Sequence, residues 1–372
     1  MKYYIIAGEA SGDLHASNLI KELMRRDPDA SFRCWGGDLM EKQGGVLVKH
    51  YRDLAFMGFL EVLVHLKTIA GNIRFCKEDI LKYQPDVLIL VDYPGFNLRI
   101  SGFASEHGIR VFYYISPQLW AWQSSRVRKI RKTVDRMFVI LPFEKDFYKK
   151  HSYEVDFIGH PLLDVINITA EHPARFEFLE RNNLPDKPII ALLPGSRKQE
   201  IRLMLEAMLK VIPSFPAHSF VIACAPSIDN EFYTCLTNGY HVSLIRNQTY
   251  DLLRQSQAAL VTSGTATLET ALIKVPQVVC YKGNYFSYLI ARMVVYVRFI
   301  SLVNLIMDKE IVKELIQGNL NCRNLAINLK KILEPDQRSE MLMNYRVLEE
   351  KLGGAGASGR AADLMMQYLA KK

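Results

Sequence analysis

The sequence predicts an α/β protein built from two successive parallel-sheet domains. Its 372 residues are too many for one ordinary core and suit two. Short β-branched and aromatic runs alternate with amphipathic stretches along the chain. These runs are continuously apolar, which indicates strands buried on both faces of a sheet that helices cover. Because ligands of such sheets bind beyond the carboxyl ends of the strands, we expect a site in a cleft between two domains.

The first domain, residues 1–165, contains four strand-like runs, at 2–8, 86–93, 110–116 and 136–143. Between the first two runs, apolar residues over 59–83 recur every three or four positions, which predicts a long amphipathic helix. The N-terminus enters its first strand at once and has too short an apolar run for a signal peptide. We therefore expect a cytoplasmic protein.

The second domain, residues 166–340, repeats the alternation with five runs, at 187–197, 219–226, 241–247, 257–264 and 276–282. A helical tail, 341–372, follows and contains a Gly-rich hinge before the final helix. That helix can pack on either domain or on another subunit, which leaves a swapped homodimer open.

An apolar stretch over 288–306 has the length of a membrane span, but Arg292 and Arg298 interrupt it. A spanning helix needs about 20 largely uncharged residues. We therefore expect an amphipathic or half-buried segment there.

The composition is that of a folded soluble protein, with 49 % hydrophobic and 23 % charged residues. The net charge of +8 points to anionic partners. Much of it lies in the segment 124–136, which includes Arg126, Arg128 and Arg131. This segment is either a solvated helix face or a face that lies on an anionic membrane. No zinc-finger spacing, RNP-type aromatic pattern or helix-turn-helix signature indicates nucleic-acid binding.

Six cysteines are scattered along the chain without a CxxC pair: Cys34, Cys76, Cys224, Cys235, Cys280 and Cys322. This spacing argues against a zinc site or a disulfide framework and fits a reducing compartment.

The sharpest motif is VTSGTATLETALIK, residues 261–274, in which an apolar strand leads through a glycine turn into a helix. Free amides and the helix dipole make such a turn an anion site, and Gly264 lets a phosphate approach the backbone. Ser263, Thr265 and Thr267 can add hydroxyl donors, and Glu269 can accept from the two hydroxyls of a ribose. Alternatively, Thr267 and Glu269 only cap the helix.

A second turn of this kind is LLPGSRKQEI, residues 192–201, where Arg197 opens a helix. A guanidinium offers a fork of donors that suits phosphate oxygens. An exposed arginine at a helix start is the alternative if the motif is taken alone. Together the two turns suggest that the second domain binds a nucleoside diphosphate without an obligatory metal.

The first domain has a small-residue turn, AGEASGDLHA, residues 7–16, after its first strand. Its candidate acceptor-site residues are Gly8, Ser11, Gly12 and His15. The turn is neither GxGxxG nor a P-loop, and a wide turn can admit a bulky acceptor. His15 is a candidate base or phosphate contact, with helix capping as the alternative.

Trp120 and Trp122 follow the end of another predicted strand, in SPQLWAW. Two nearby tryptophans are usually core residues, but they also suit the wall of a cleft that receives acyl chains or sugars.

Asp92 follows the apolar run that ends at Val91, and a Tyr-Pro-Gly turn comes next. Burying an unpaired charge is costly, so a carboxylate at this position needs a reason. It is either a functional carboxylate at the mouth of a cleft or a cap of the following helix.

Seven motifs in this order resemble the lipid-A-disaccharide synthase family: AGEASGD, FMGFLEVL, SPQLWAW, PFEKDFY, FIGHPLLD, LLPGSRKQEI and SGTATLE. The resemblance runs from residue 3 to about residue 320. It implies a GT-B type fold, two Rossmann-like domains that face a cleft, with an acceptor-binding first half and a UDP-binding second half.

The resemblance implies an inverting glycosyltransferase of lipid A biosynthesis. The 6-hydroxyl of 2,3-diacylglucosamine 1-phosphate would attack the anomeric carbon of UDP-2,3-diacylglucosamine and form a β(1→6) disaccharide phosphate and UDP. The family acts peripherally at a membrane, here the inner face of the inner membrane of a Gram-negative bacterium, and needs no metal or cofactor.

By the same resemblance Asp92 is the general base, and such a base is needed near the attacking hydroxyl. Relatives often have a second aspartate where this chain has Gly95. Arg197 and Glu200 match positions near the donor diphosphate, and Asn304 and Gln317 match positions that face the donor, although either could be a cap or an exposed polar residue.

Two other functions stay open at this point. A UDP-sugar epimerase can share the fold and the diphosphate turns, but it gives the basic segment no role. A non-catalytic protein that binds nucleotide sugars or lipids would show no turnover.

Overall fold

A computed structural model describes residues 1–54, 66–122, 124–168, 172–283 and 298–371. It divides into two units, each with its own parallel sheet. Unit 1 comprises Met1–Asp164 and Leu352–Lys372, and unit 2 comprises Val165–Lys351. The predicted fold class, two parallel-sheet α/β domains, is confirmed.

The sheet of unit 1 has seven strands in the order β3-β2-β1-β4-β5-β6-β7, and all neighbours are parallel. The strands are β1 Lys2–Ala7, β2 Ser31–Gly36, β3 Gly45–His50, β4 Val87–Val91, β5 Arg110–Tyr114, β6 Arg136–Val139 and β7 Asp156–Phe157. The central strand β4 is buried along its whole length. Helices cover both faces of such a sheet, which explains its continuously apolar sequence.

The sheet of unit 2 has six parallel strands in the order β10-β9-β8-β11-β12-β13. The strands are β8 Ile189–Leu193, β9 Ser219–Cys224, β10 Val242–Arg246, β11 Ser256–Thr262, β12 Gln277–Tyr281 and β13 Lys313–Ile316. In both sheets the chain order reverses beside the first strand of the unit, so loops from neighbouring strands meet at one carboxyl edge.

The helices of unit 1 up to Asp164 begin with α1 Ala10–Arg26 and α2 Asp38–Lys42, and continue with α3 Leu66–Tyr83, α4 Pro94–Glu106, α5 Leu119–Trp122, α6 Val127–Thr133 and α7 Glu144–Lys150. Helix α8, Leu162–Ile168, leads into unit 2, which contains α9 Arg175–Arg181, α10 Lys198–Leu209, α11 Asn230–Thr237, α12 Thr249–Arg254, α13 Thr265–Leu272, α14 Leu302–Met307, α15 Cys322–Leu333 and α16 Pro335–Lys351. The last helix, α17 Ala357–Ala370, belongs to unit 1.

Four strands were not predicted from the sequence: β2, β3, β7 and β13. Three of them, β3, β7 and β13, are edge strands, which are short or half-exposed and so lack the continuous apolar run of a central strand. Pattern reading is therefore weakest at the edges of these sheets.

Two predicted segments are described only in part. The amphipathic helix expected over 59–83 is helical as α3, and residues 59–65 lie outside the described residues. Most of the apolar stretch 288–306 also lies outside them. Among the helices that the structure describes, none is long and apolar enough to cross a membrane.

The predicted tail is shared between the units. Residues 341–351 continue helix α16 of unit 2, and the segment from Leu352 onward belongs to unit 1, where α17 packs against α1. Ala361, Ala362 and Met365 are fully buried in the core between β1 and these two helices. Within this chain, the final helix therefore completes unit 1.

Candidate active site

Asp92 lies at the carboxyl end of β4, in a backbone conformation that few residues adopt. Its φ is 42°, and that of Tyr93 is 47°. The Asp92 carbonyl accepts hydrogen bonds from the Tyr113 hydroxyl, at 2.6 Å, and from Asn97 Nδ2, at 2.7 Å. A left-handed backbone at a non-glycine residue costs about 1 kcal/mol or more and persists where neighbours enforce it. These contacts therefore hold the backbone of Asp92 in this conformation.

Burial raises the pKa of the Asp92 carboxyl to about 6, and the nearby charge of Glu9 adds to the rise. A hydrogen bond from the Tyr93 amide opposes both effects. Helix α4, which follows, has no side-chain cap at its N-terminus. Asp92 is thus a strongly perturbed carboxylate rather than a helix cap, and its pKa lies where a general base works well near neutral pH.

The turn after β1 packs directly on Tyr93. Ala7 pairs with Val91, and a Cβ placed on Gly8 would lie 2.4 Å from the Tyr93 ring, so only glycine fits there. Gly12 packs similarly closely, since its Cβ would lie 3.2 Å from that of Ala7. Both predicted glycines therefore bring α1 and β1 against the segment that carries Asp92.

His15 and Ser11 lie on the first turns of α1. Burial lowers the pKa of the His15 imidazole to about 4, so the ring is neutral at physiological pH and can offer a hydrogen bond but no charge. Ser11 is exposed. Neighbouring Asp13 is a structural residue, because its carboxylate accepts from the backbone amides of Gly37, Leu39 and Met40.

The segment that carries Trp120 is anchored by a carboxylate that the sequence analysis did not single out. Glu144 is buried and accepts from the Ser116 hydroxyl at 2.5 Å and from the Ile140 and Leu141 amides. Burial raises its pKa to about 7. The Trp120 ring packs edge-on against Phe143 at 5.0 Å. The only hint of this buried carboxylate in the sequence is the glutamate of the PFEKDFY motif.

The side chain of Trp122 lies outside the described residues, and only its place at the end of α5 is described.

The basic segment is amphipathic, with Val127 and Ile130 buried and Arg128 and Arg131 exposed. Arg126 differs from the other predicted membrane-facing arginines. It is half-buried, and its charge acts on the Tyr113 phenol that contacts Asp92. The exposed face of α6 is therefore formed by Arg128, Lys129, Arg131 and Lys132, and Arg126 does not belong to it.

In unit 2, the turn after β8 depends on Gly195. Its φ is +107°, and a Cβ there would lie 2.1 Å from Glu200 Oε2. Glu200 reaches back to accept from the Ser196 amide at 3.0 Å, which stabilises the start of α10. Arg197, the N-cap residue of α10, is exposed at this turn.

The turn between β11 and α13 uses two of its predicted hydroxyl donors internally. Ser263 Oγ donates to the Ile300 carbonyl at 2.9 Å, and the buried Thr267 hydroxyl donates to the Gly264 carbonyl at 2.8 Å. Thr265 is exposed, and the space beside the Gly264 Cα is open. Thr265 and the backbone amides at the start of α13 are therefore the better candidates to meet an anion, and Ser263 and Thr267 shape the turn.

The two turns line one cavity of about 310 Å³ within unit 2, which also receives the end of β9 and Thr249. Glu269 lines it as well and accepts from the Tyr250 hydroxyl at 3.1 Å. Burial raises the pKa of the Glu269 carboxyl, and the bond from Tyr250 opposes the rise. A cavity with two amide-bearing turns and one carboxylate suits a ligand with both phosphates and hydroxyls.

Asn304 does not face this cavity. It is fully buried, its Nδ2 donates to the Val312 carbonyl and to Glu314, and its Oδ1 accepts from the Ile311 and Val312 amides. All four hydrogen-bonding positions of its amide are therefore filled by the chain. The fold thus uses the amide of Asn304 internally, and a nucleotide contact at this residue stays a prediction from the sequence.

Gln317 follows β13 with a φ of 53°. Its Nε2 is buried without a partner among the described residues. This amide thus remains available to a ligand at the carboxyl edge of the sheet.

Comparison with known proteins points to one family. The family model for lipid-A-disaccharide synthetase matches residues 3–363. The lipid-A-disaccharide synthase of Syntrophus aciditrophicus is 41 % identical over 99 % of this chain and 97 % of its own length. That of Myxococcus xanthus is 38 % identical over 98 % of this chain and 97 % of its own.

Solved structures share the fold at low identity. The UDP-GlcNAc 2-epimerase of Neisseria meningitidis, solved with UDP-GlcNAc, superposes with a TM-score of 0.68 at 15 % identity and full coverage of both chains. The glycotransferase of kitacinnamycin gives 0.68 at 14 % identity over 99 % of each chain. These likenesses establish the fold alone.

Proposed function

We propose, from the premise that the chain belongs to the lipid-A-disaccharide synthase family, that it joins two acylated glucosamines. In this proposal UDP-2,3-diacylglucosamine is the donor and 2,3-diacylglucosamine 1-phosphate is the acceptor. The products are the β(1→6) disaccharide 1-phosphate and UDP. The observation that carries the proposal is the perturbed carboxylate of Asp92 at the end of β4.

Asp92 acts as the general base. Its carboxylate takes the proton of the acceptor 6-hydroxyl while that oxygen attacks the anomeric carbon of the donor. The bond from the anomeric carbon to the UDP oxygen breaks on the opposite face, so the configuration inverts. The pKa of about 6 lets the carboxylate be ionised before the reaction and take a proton during it.

Unit 2 holds the departing nucleotide. The turns that start at Gly195 and Gly264 present backbone amides at the starts of α10 and α13, which favour the diphosphate charge. Arg197 supplies a guanidinium at the same edge. Because the leaving group gains negative charge in the transition state, these groups stabilise the transition state more than they stabilise the intact donor.

The epimerase alternative is not favoured. The matching family model is that of lipid-A-disaccharide synthetase, and the curated relatives are named lipid-A-disaccharide synthase. The epimerases resemble this chain only in fold, at 15 % identity or less. A non-catalytic binding protein has no support among the curated relatives, whose names are those of enzymes.

The test is UDP release from UDP-2,3-diacylglucosamine in mixed detergent micelles without added metal, with and without the acceptor. Release that needs the acceptor supports the transfer. Release without acceptor would mean hydrolysis or another reaction, and donor binding without release would mean a different acceptor. Asp92→Asn should abolish release while UDP still binds, and equal loss of binding and turnover would make Asp92 structural.

Arg197→Ala should weaken binding of the donor more than that of the acceptor, because a diphosphate contact serves only the donor. Titration of each substrate separately measures the effect. An unchanged UDP affinity would remove Arg197 from the site.

Unit 1 is proposed to lie on the anionic inner surface of the inner membrane through the exposed basic face of α6. The variant Arg128→Ala/Arg131→Ala should sediment less with anionic vesicles than the wild type. Lys330→Ala/Lys331→Ala, which removes the same charge from the exposed face of α15 in unit 2, is the matched control. Equal sedimentation of both variants would make α6 an ordinary solvated helix.

A further inference from the structure

A tyrosine of helix α12 is hydrogen-bonded to the carboxylate of Glu269. Tyr250, the second residue of α12, donates its hydroxyl hydrogen to Glu269 Oε1 at 3.1 Å. Glu269 lines the cavity together with Gly195 and Gly264, whereas Tyr250 is absent from the described lining. Tyr250 therefore contacts Glu269 without itself lining the cavity.

The electrostatics of the pair favour one direction of this bond. Burial raises the pKa of Tyr250 far above its usual range, and the Glu269 carboxylate adds to the rise, so the phenol keeps its proton and donates. The bond lowers the pKa of Glu269 against the effect of burial. Other charged groups nearby are Glu200, which lines the cavity, and Asp251 and Arg254, which share α12 with Tyr250.

An ionised carboxylate in a cavity that also presents two phosphate-binding turns is suited to a sugar diol. Two adjacent ribose hydroxyls can both donate to it, whereas a 2′-deoxyribose has lost one donor. Sites built to bind a hydroxyl reject analogues that lack it, because the buried acceptor is then left unpaired. Such selectivity requires that the carboxylate keep one orientation.

We propose that Tyr250 is a positioning residue of the donor cavity, which orients Glu269 to accept from the ribose hydroxyls and thereby selects ribonucleotides over 2′-deoxyribonucleotides. The assignment rests on the proposed function, since it takes the donor to be a nucleoside diphosphate sugar. Tyr250 occupies one acceptor position of Oε1 and leaves the other acceptor positions of the carboxylate for the ligand.

The test uses the full chain with Tyr250→Phe, which removes only the hydroxyl, and calorimetric titration with UDP and with 2′-deoxy-UDP. The variant should bind UDP about tenfold more weakly than the wild type, with a smaller loss for 2′-deoxy-UDP. Tyr240→Phe, elsewhere in unit 2 and outside the cavity lining, is the matched control.

The pH dependence of UDP binding distinguishes a role of Tyr250 in positioning Glu269 from a general loss of structure in the cavity. Affinity should fall as the pH drops through the pKa of Glu269, because the protonated carboxyl accepts less well. In Tyr250→Phe the fall should begin at higher pH, since the bond that favours the ionised form is gone. In a Glu269→Gln background, Tyr250→Phe should weaken UDP binding no further.

Each failure has its own signature. A wild type that does not bind UDP overturns the proposed function and this assignment with it. Wild-type binding that Tyr250→Phe leaves unchanged, or equal weakening of UDP and 2′-deoxy-UDP, overturns the assignment alone. Should Tyr250→Phe fold poorly, Glu269→Gln by itself must reduce the preference for UDP over 2′-deoxy-UDP, and an unchanged preference overturns the assignment.

Discussion

At the scale of single residues, unit 1 keeps a charged carboxylate where its fold would be more stable without one. Asp92 has a left-handed backbone, is largely buried and lies near a second carboxylate, Glu9. Each of these features opposes folding, and such conflicts concentrate at functional sites. They set two expectations, one for stability and one for activity.

Asp92→Asn should stabilise the protein while it abolishes transfer. The pKa of the carboxyl rises from 3.8 to about 6 in the folded state, so ionising it costs about 3 kcal/mol of folding free energy. Because the folded-state pKa is raised, the cost is fully present above about pH 6 and disappears below about pH 4. Urea unfolding at about pH 8 and at about pH 4 should therefore show a gain at the higher pH only.

The exposed Asp29→Asn serves as the control for that comparison. A gain of similar size at both pH values would mean that the charge of Asp92 is not what destabilises the fold.

Glu9→Gln should move the acid limb of the pH–rate profile to lower pH. Asp92 must be ionised to accept a proton, so kcat/KM falls as the pH drops through its pKa of about 6. Removing the Glu9 charge lowers that pKa, while Tyr93, Tyr113 and Arg126 stay in place around it. Glu106→Gln, at the exposed end of α4, is the control. If the acid limb of the pH–rate profile of Glu9→Gln stays where it is in the wild type, Glu9 does not act on Asp92.

At the scale of elements, the donor turn is tied to the edge of its sheet by a polar network. Glu314 on β13 accepts from the Ile300 amide, from the amide and hydroxyl of Ser301, and from Asn304 Nδ2. Ser263 Oγ then donates to the Ile300 carbonyl. The network therefore links β13, the segment before α14 and the turn that opens α13.

Asn304→Ala should destabilise unit 2 by about 3 kcal/mol, because the Ile311 and Val312 amides lose their acceptor and the Val312 carbonyl and Glu314 each lose one donor. Asn344→Ala, whose Nδ2 makes one exposed bond to the Glu340 carbonyl, should cost less than about 1 kcal/mol. Urea unfolding compares the two variants. Equal effects would contradict a central role of Asn304 in the network.

At the scale of the whole chain, the segments before and after unit 2 fold together in unit 1. The Asp164 carboxylate accepts from the amides of Gly356, Ala357 and Ser358 and so caps α17. The Arg110 guanidinium donates to the Tyr368 and Leu369 carbonyls at the other end of that helix. Unit 1 is therefore complete only after the chain has passed through unit 2.

Asp164→Ala should destabilise unit 1 by about 2 kcal/mol, because three amides at the start of α17 lose their acceptor. Asp363→Ala, which removes the exposed ion pair of the same helix with Arg26, should cost less than about 1 kcal/mol. The three tryptophans, Trp35, Trp120 and Trp122, all lie in the first unit, so their fluorescence during urea unfolding reports on it. Equal effects of the two variants would argue against the cap.

The sequence by itself determined the interior strands of both sheets other than β2, the glycine turns after β8 and β11, and Asp92 at the end of β4. These features are local: a strand buried on both faces must be apolar throughout, and a turn or an interrupted run is visible within about ten residues. The edge strands β3, β7 and β13 were not predicted, because short or half-exposed strands carry no such pattern.

Only the tertiary structure decided which polar groups form hydrogen bonds within the fold and which remain available to a ligand. Ser263 bonds to a carbonyl 37 residues away, Asn304 fills its amide with β13 and the segment before it, and Tyr250 reaches Glu269 from another helix. The sequence shows that such a side chain can donate or accept, but its partner depends on which segments the fold brings together. Helix α17 follows the same rule, since the sequence predicted a final helix but not its packing partner, α1.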